Sequence, residues 1–231
     1  MQGGCRNFTT FASKQISMND LQSTSTLIIA NGRYPEHALP LSLIREASFI
    51  VCTDGAANDF IARGGVPDAI VGDCDSISPE NRERYAAIIH PSTDQETNDL
   101  TKSVHYCVAE GRKEIVIVGG TGKREDHTLG NISLLAEYCQ IAQVVMVTNW
   151  GLFTPIASST IFQSFKGEQV SLFAIDALPL TTKMLKYPLH HRVLTNWWQG
   201  TLNESIGDWF SIETEGRVIV FQAFEQESSL Q

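Results

Sequence analysis

The sequence predicts an α/β fold: a doubly wound, mostly parallel sheet domain followed by a small antiparallel β-sandwich domain. Two observations carry that expectation. Five short runs, TLIIA (26–30), SFIVC (48–52), DAIVG (68–72), EIVIVGG (114–120) and QVVMVTN (143–149), are apolar nearly throughout and stand far enough apart for crossover helices. A run that is apolar at every position must be covered on both faces, as the strands of a parallel sheet are. The texture then changes at WGLFTPIASS (150–159), which holds Gly, Pro and Ser without helical periodicity. Beyond it EQVSLFAID, HRVLT, DWFSIET and RVIVFQA follow one another closely, with turn signals such as Glu215-Gly216, as strands of a sandwich or barrel do. The expected boundaries are a flexible tail over 1–24, the α/β domain over 25–152 and the β-sandwich over 153–231.

The whole-chain properties suit such a protein and exclude some functions. At 231 residues, 42% hydrophobic and 19% charged, the chain can bury one large core or two modest ones. Its formal net charge of -9 argues against a nucleic-acid surface, because affinity for phosphate backbones comes largely from clustered Lys and Arg. An anionic substrate would therefore need a metal or a local basic patch. Five scattered cysteines with no CxxC pair suggest neither a disulfide framework nor a zinc site, and fit a reducing cytoplasm. No apolar run approaches the roughly 20 residues needed to cross a bilayer. The opening stretch is rich in Ser, Thr, Asn and Gln without an apolar core, so it reads as a loose tail rather than a signal peptide.

In a doubly wound sheet the binding crevice lies outside the carboxyl ends of the strands, so the residues just after each run matter most. TLIIA is followed by Asn31-Gly32. SFIVC leads into TDGAAN (53–58), whose small residues let a backbone or ligand approach where a helix starts, with Asp54 either at the crevice or an N-cap. DAIVG leads into VGDCDS (71–76). In an extended segment residues two apart point to one side, so Asp73 and Asp75 would aim at one point, as a cation seat or as a polar turn. Cys74 between them is either a reactive thiol or a small buried residue.

DQETNDLTK (94–102) opens a helix with apolar positions Leu100, Val104, Cys107 and Val108 and a stop at Gly111. Asp99 and Lys102, three apart, share a face there, as functional groups or as a solvated ion pair. EIVIV is followed by GGTGKREDH (119–127), glycines mixed with Lys123 and Arg124, which fits neither the Walker nor the GxGxxG template. Asp126 opens a further helix with an apolar face of Leu129, Ile132, Leu135 and Cys139, and its neighbour His127 is a cap, a packing residue or a base.

Taken in order, DGAAN, GDCDS, DQETND with Lys102 close behind, GGTGKREDH, LKYPL (185–189) and GTLNE (200–204) closely resemble the thiamine pyrophosphokinase family over nearly all of residues 26–220. The resemblance implies an α/β nucleotide-binding domain and a β-sandwich thiamine-binding domain, assembled as a homodimer with the active site at the subunit interface. It implies transfer of a pyrophosphoryl group from ATP to thiamine, giving thiamine diphosphate and AMP, with Mg²⁺ as cofactor.

Carried over block by block, it makes Asp54, Asp73, Asp75 and Asp99 the catalytic acidic centre, with Asp73, Asp75 and Asp99 on the metal. It places Gln95, Lys102, Thr121, Gly122, Lys123, Arg124 and Asp126 around ATP, and Tyr187, Thr201, Leu202 and Asn203 around thiamine. Tyr187 would stack on the flat cationic ligand, or else sit in the sandwich core. Trp197 and Trp198 would line that pocket or fill the core. Two departures stand out: Leu202 replaces the serine of the commoner GTSN, and Asn98 stands where the family more often has Thr.

Overall fold

The structure, a computed structural model, describes residues 15–16 and 26–225. Apart from residues 15–16, the expected tail over 1–24 lies outside the described residues, as does all but Glu225 of the closing EQESSLQ (225–231), which is expected to fray. Each of the five apolar runs forms a parallel strand: β2 (Thr26–Ile29), β3 (Phe49–Thr53), β4 (Ala69–Gly72), β6 (Glu114–Val118) and β7 (Gln143–Val147). A short edge strand, β5 (Ile89–Pro91), completes the order β7-β6-β2-β3-β4-β5. The helices α1 (Ala38–Glu46), α2 (Ala56–Ala62), α3 (Pro79–Arg84), α4 (Asp99–Ala109) and α5 (Glu125–Tyr138) lie between them.

The alternation of side chains along each strand explains the two covered faces. Leu27 and Ile29 of β2 pack with Leu43, Ile44 and Phe60 of α1 and α2, whereas Ile28 packs with Leu100, Val104 and Leu135 of α4 and α5. The order of connection reverses between β2 and β6, so the chain leaves their carboxyl ends toward opposite faces of the sheet and opens a crevice there. Of the apolar face expected on the last helix, Leu135 is fully buried but Leu129 is 55% exposed. The first turns of α5 stand at the crevice, where residues 127, 128 and 131 line a cavity rather than the sheet.

The second part contains β8 (Gly151–Ile156), β9 (Thr160–Gln163), β10 (Gln169–Ala174), β11 (Pro179–Lys183), β12 (Arg192–Val193), β13 (Asn203–Glu204), β14 (Trp209–Glu213) and β15 (Val218–Ala223). Four of them extend the first sheet as β13-β10-β15-β8, with β8 antiparallel to β7, so one sheet of ten strands runs through both parts. A five-stranded sheet, β1-β9-β14-β11-β12, faces that extension; its β1 is Gln15–Ile16, from within the expected tail. Phe162, Phe210 and Ile212 from one sheet interlock with Val170, Leu172 and Val220 from the other, which makes the sandwich core.

WGLFTPIASS, read from its Gly, Pro and Ser as a break, thus contains the strand that joins the two parts. Pro155 is compatible because β7 pairs with β8 only at Leu152 and Phe153, leaving the Pro155 position without a β7 partner. Among the described residues no helix is long and apolar enough to cross a membrane.

Candidate active site

A cavity of about 450 Å³ fills the crevice at the switch point between β2 and β6, lined from the carboxyl ends of β2, β3, β4 and β6, whereas residues at the end of β7 border a smaller cavity. Two loops form its floor. The Gly32 amide donates to the Gly119 carbonyl at 2.7 Å and the Arg33 amide to the Thr121 carbonyl at 2.7 Å. A side chain at Gly32 would collide with those backbones, its Cβ falling 2.3 Å from the Gly119 oxygen, so this crossing requires glycine.

One wall is acidic. Oxygens of Asp54, Asp73 and Asp75 lie within 4.8 Å of one another. They do not converge by strand alternation, as an extended VGDCDS predicts. Cys74 adopts a left-handed conformation (φ 63°) and the Asp75 amide donates back to Asp73 Oδ1 at 3.3 Å, so a tight polar turn brings the carboxylates together. The same turn drives Cys74 into the interior, where burial and then the charge of Asp54 push its thiol up, so it stays protonated.

Asp54 also has positive φ (25°), and its side chain is buried. Its Oδ2 accepts from the Ser76 amide at 3.2 Å, while its Oδ1 is buried with no hydrogen-bond partner among the described residues. Burial raises the Asp54 carboxyl above its ordinary value; Ser76 opposes this, and the charges of Asp99 and Asp73 reinforce it. Three carboxylates around an orphaned buried oxygen form an oxygen-rich set suited to a hard divalent cation.

The opposite charges stand beside it. Lys102 Nζ donates to Asp99 Oδ1 at 3.0 Å, and the lysine side chain is only 7% exposed, so this is not the solvated pair that the spacing allows. Burial pulls the Lys102 pKa down, but the Asp99 hydrogen bond and the charges of Asp99, Asp73 and Asp94 outweigh it and hold the ammonium above its ordinary value. Lys123 donates to Asn31 Oδ1 at 3.1 Å, and Arg124 lies in a two-pronged pair with Asp126 whose first contact is 3.0 Å. Both cations are exposed, and they line the cavity with Gln95 and Thr121.

Asp126 does not line the cavity; the Arg124 guanidinium holds its carboxyl down at about 2. Gly122 borders a separate cavity of about 70 Å³ with Arg33 and Trp150. His127 lines the main cavity.

The LKYPL and GTLNE residues gather elsewhere. Asn203 is buried and brackets the backbone of Tyr187, accepting from its amide at 3.0 Å and donating to its carbonyl at 2.8 Å. That bracket presents the Tyr187 ring outward, 61% exposed, so it is not sandwich core. Leu202 is 81% exposed in a left-handed conformation (φ 60°), and the Thr201 hydroxyl donates to the Trp198 carbonyl at 2.8 Å. Trp197 is half-buried edge-on against Phe173, whereas Trp198 is exposed. None of these residues lines the 450 Å³ cavity of its own chain.

Several lining residues are absent from the sequence-based site set, Asn31 and Asn131 among them. Asn31 follows β2 as Asp54 follows β3, a position that the strand-end rule marks without giving it a role. Asn131 carries no such signal: it sits two turns into α5, donates to the Gly120 carbonyl at 2.8 Å and accepts from Asn98 at 3.1 Å.

Known proteins resemble the chain over both parts of the fold. Residues 41–147 match the family model described as thiamin pyrophosphokinase, catalytic domain, and residues 151–221 match thiamin pyrophosphokinase, substrate-binding domain. Thiamine pyrophosphokinase 1 of Oryza sativa subsp. japonica is 32% identical over 160 residues, 58% of this chain and 60% of that relative. The chain therefore spans somewhat less than two thirds of that relative's length. Thiamine pyrophosphokinase 3 of the same plant is 30% identical over 185 residues, 68% of each chain. The solved thiamin pyrophosphokinase from Candida albicans shares the fold, with a TM-score of 0.76 over 94% of this chain and 95% of that one at 18% identity.

Proposed function

Because the chain belongs to the thiamin pyrophosphokinase family, we propose that it transfers the pyrophosphoryl group of ATP to the hydroxyl of thiamine, giving thiamine diphosphate and AMP. The observation that carries this reading is the meeting, in one crevice, of the Asp54, Asp73 and Asp75 carboxylates with Lys102, Lys123 and Arg124. The hydroxyl oxygen attacks the β-phosphorus; the new O–P bond forms as the bond from the β-phosphorus to the bridging oxygen breaks, and AMP leaves with that electron pair. The hydroxyl proton passes to one of the site's carboxylates.

Such a reaction asks the protein mainly for alignment and for neutralisation of charge on phosphoryl oxygens. Asp73 and Asp75 with Asp54, and Asp99 alongside, would hold Mg²⁺, and the orphaned Asp54 Oδ1 fits that role. When bound, the ion offsets phosphate charge that an acidic wall would otherwise repel. Lys102, kept charged by Asp99, and the exposed Lys123 and Arg124 pair with phosphate oxygens, with Asp126 aiming the Arg124 fork. Gln95, Thr121 and Gly122 belong to the nucleotide site in this reading.

At the acceptor end, Tyr187 would stack on the thiamine ring, with Thr201, Leu202 and Asn203 beside it. Their distance from the lining of their own cavity and the exposure of Tyr187 and Leu202 support a homodimer in which one copy completes the other's site. The free thiols of Cys52, Cys74, Cys107 and Cys139 favour a cytoplasmic setting.

The test is to incubate the purified protein with Mg²⁺-ATP, with and without thiamine, and weigh the products. Thiamine diphosphate with AMP is expected. Thiamine monophosphate with ADP would overturn the transfer, and AMP formed equally without thiamine would make the protein a pyrophosphohydrolase. Asp73→Asn and Asp75→Asn should each abolish turnover while the protein still unfolds cooperatively; full turnover in both would remove the acidic centre from the mechanism.

A further inference from the structure

The acidic turn has few hydrogen bonds of its own. Asp73, Asp75 and Ser76 are exposed, Cys74 between them is left-handed, and among the described residues the Asp75 carboxylate has only the Ser76 hydroxyl, at 2.8 Å, to steady it locally. Three carboxylates this close repel one another in the absence of a cation, so something outside the turn must resist its opening.

That support comes from the Thr53–Asn58 segment. Asn58, in the first turns of α2, donates its amide to the Ser76 carbonyl at 2.8 Å. Its Oδ1 accepts both from the Ser78 amide at 3.1 Å and from the Asn81 side chain at 2.9 Å. Four residues earlier, Asp54 takes the Ser76 amide. Ser76 is therefore gripped at both its N–H and its C=O by two side chains of one rigid segment. Gly55 lets the two pieces touch, since a Cβ there would lie 3.2 Å from Ser76 Cβ and 2.9 Å from Asn31 Nδ2. From the other side Arg82 of α3 donates to the Cys74 carbonyl.

We propose that Asn58 is a positioning residue that holds the Asp73–Ser76 turn in its cation-ready shape and thereby sets the divalent-cation affinity of the Asp54, Asp73 and Asp75 cluster. This rests on the cation reading above. Asn58 itself does not line the cavity, so it acts through the turn. Its carboxamide serves as one donor and a double acceptor, which neither Ala nor Asp reproduces. Ala removes every contact, and Asp sets an acceptor against the Ser76 carbonyl. Groups that orient metal ligands from behind typically change affinity about 10- to 100-fold when removed.

The experiment uses Asn58→Ala in the full chain, with Phe162→Leu in the distant sandwich core as a control for general loss of stability. Backbone amide exchange over residues 73–78 of the metal-free protein reads the turn directly, and Mn²⁺ titrated alone and followed by electron paramagnetic resonance reads the affinity. For Asn58→Ala, exchange at Ser76 and Ser78 should accelerate, Mn²⁺ binding should weaken by about tenfold or more, and turnover should recover toward wild type at saturating Mn²⁺. Phe162→Leu should lower the unfolding midpoint and leave Mn²⁺ binding unchanged. Unchanged exchange, or faster exchange with unchanged Mn²⁺ affinity, overturns the role of Asn58 and leaves the cation site standing. A wild-type protein that binds no Mn²⁺ removes the cation reading itself, and the proposal with it.

Discussion

At Asp54 the chain carries two local costs together, a left-handed backbone on a residue other than glycine and a buried carboxylate oxygen without a partner. Outliers of this kind persist where surrounding structure enforces them, and they cluster at functional sites. Glu168 is a second buried carboxyl group, but one outside the site and well supplied with donors, from the Ser164 hydroxyl and from Gln222 at 3.0 Å. Burial raises its pKa above the ordinary 4.5, and those hydrogen bonds only partly oppose the shift. The folded value thus exceeds the unfolded one. The contribution of Glu168 to stability is full below about pH 4.5 and is lost as pH rises through the folded value. Glu168→Gln keeps the shape and an acceptor but no longer ionises, so its urea midpoint should gain on that of wild type as pH rises above about 4.5; parallel pH profiles would count against it. Leu202 holds a left-handed conformation with its side chain in solvent, so little packing offsets the strain. Leu202→Asn, a residue that tolerates this region, should raise stability by about 1 kcal/mol in denaturant unfolding.

Between elements, the cavity depends on how α4 and α5 are held against each other. Asn98 caps α4 by accepting from the Thr101 amide at 2.9 Å, so the change from the family's commoner Thr keeps a capping residue. Its amide reaches Asn131 of α5, which in turn holds the Gly120 carbonyl in the GGTG loop. Deeper in, the Thr101 hydroxyl meets the Tyr138 hydroxyl at 2.7 Å, a buried bond between the two helices. Tyr138→Phe removes that bond without opening a cavity, and the Thr101 hydroxyl retains Asn98 Oδ1 at 2.9 Å. The expected cost is about 1 kcal/mol, measured by chemical denaturation; a loss several times larger would mean that this contact, rather than apolar packing, holds the helices together.

For the molecule as a whole, the consequence of one sheet running through both parts is mutual dependence. Ile219 of β15 is wholly buried in the core cluster that β2, β6, α4 and α5 form, and β8 covers the edge of β7. A fragment ending at residue 150 would expose that edge and lose Ile219, so it should aggregate or melt without cooperativity, while the full chain unfolds in one transition by calorimetry. A soluble fragment with a sharp transition would show the first part to be self-sufficient. Much of this architecture is legible in the sequence. Strands covered on both faces must be apolar throughout, and residues after their carboxyl ends must meet at the crevice, which is why Asp54, Asp73 and Lys123 can be named in advance. The role of β8 is not legible, because Gly, Pro and Ser mark a break unless one knows that Pro155 has no neighbour on its far side. The same limit hides Asn131, whose partners lie in other loops, and the support that Asn58 gives to Ser76, 18 residues away in sequence. The sequence by itself determined which residues could be buried and which chemistry each strand end carries, since burial patterns and side-chain types are local properties. Only the tertiary structure decided that Cys74 turns left-handed so that Asp73 and Asp75 converge, that Lys102 is buried against Asp99, and that Tyr187 faces outward. Those outcomes depend on which distant backbone groups are satisfied by which side chains, and no periodicity along the chain encodes that.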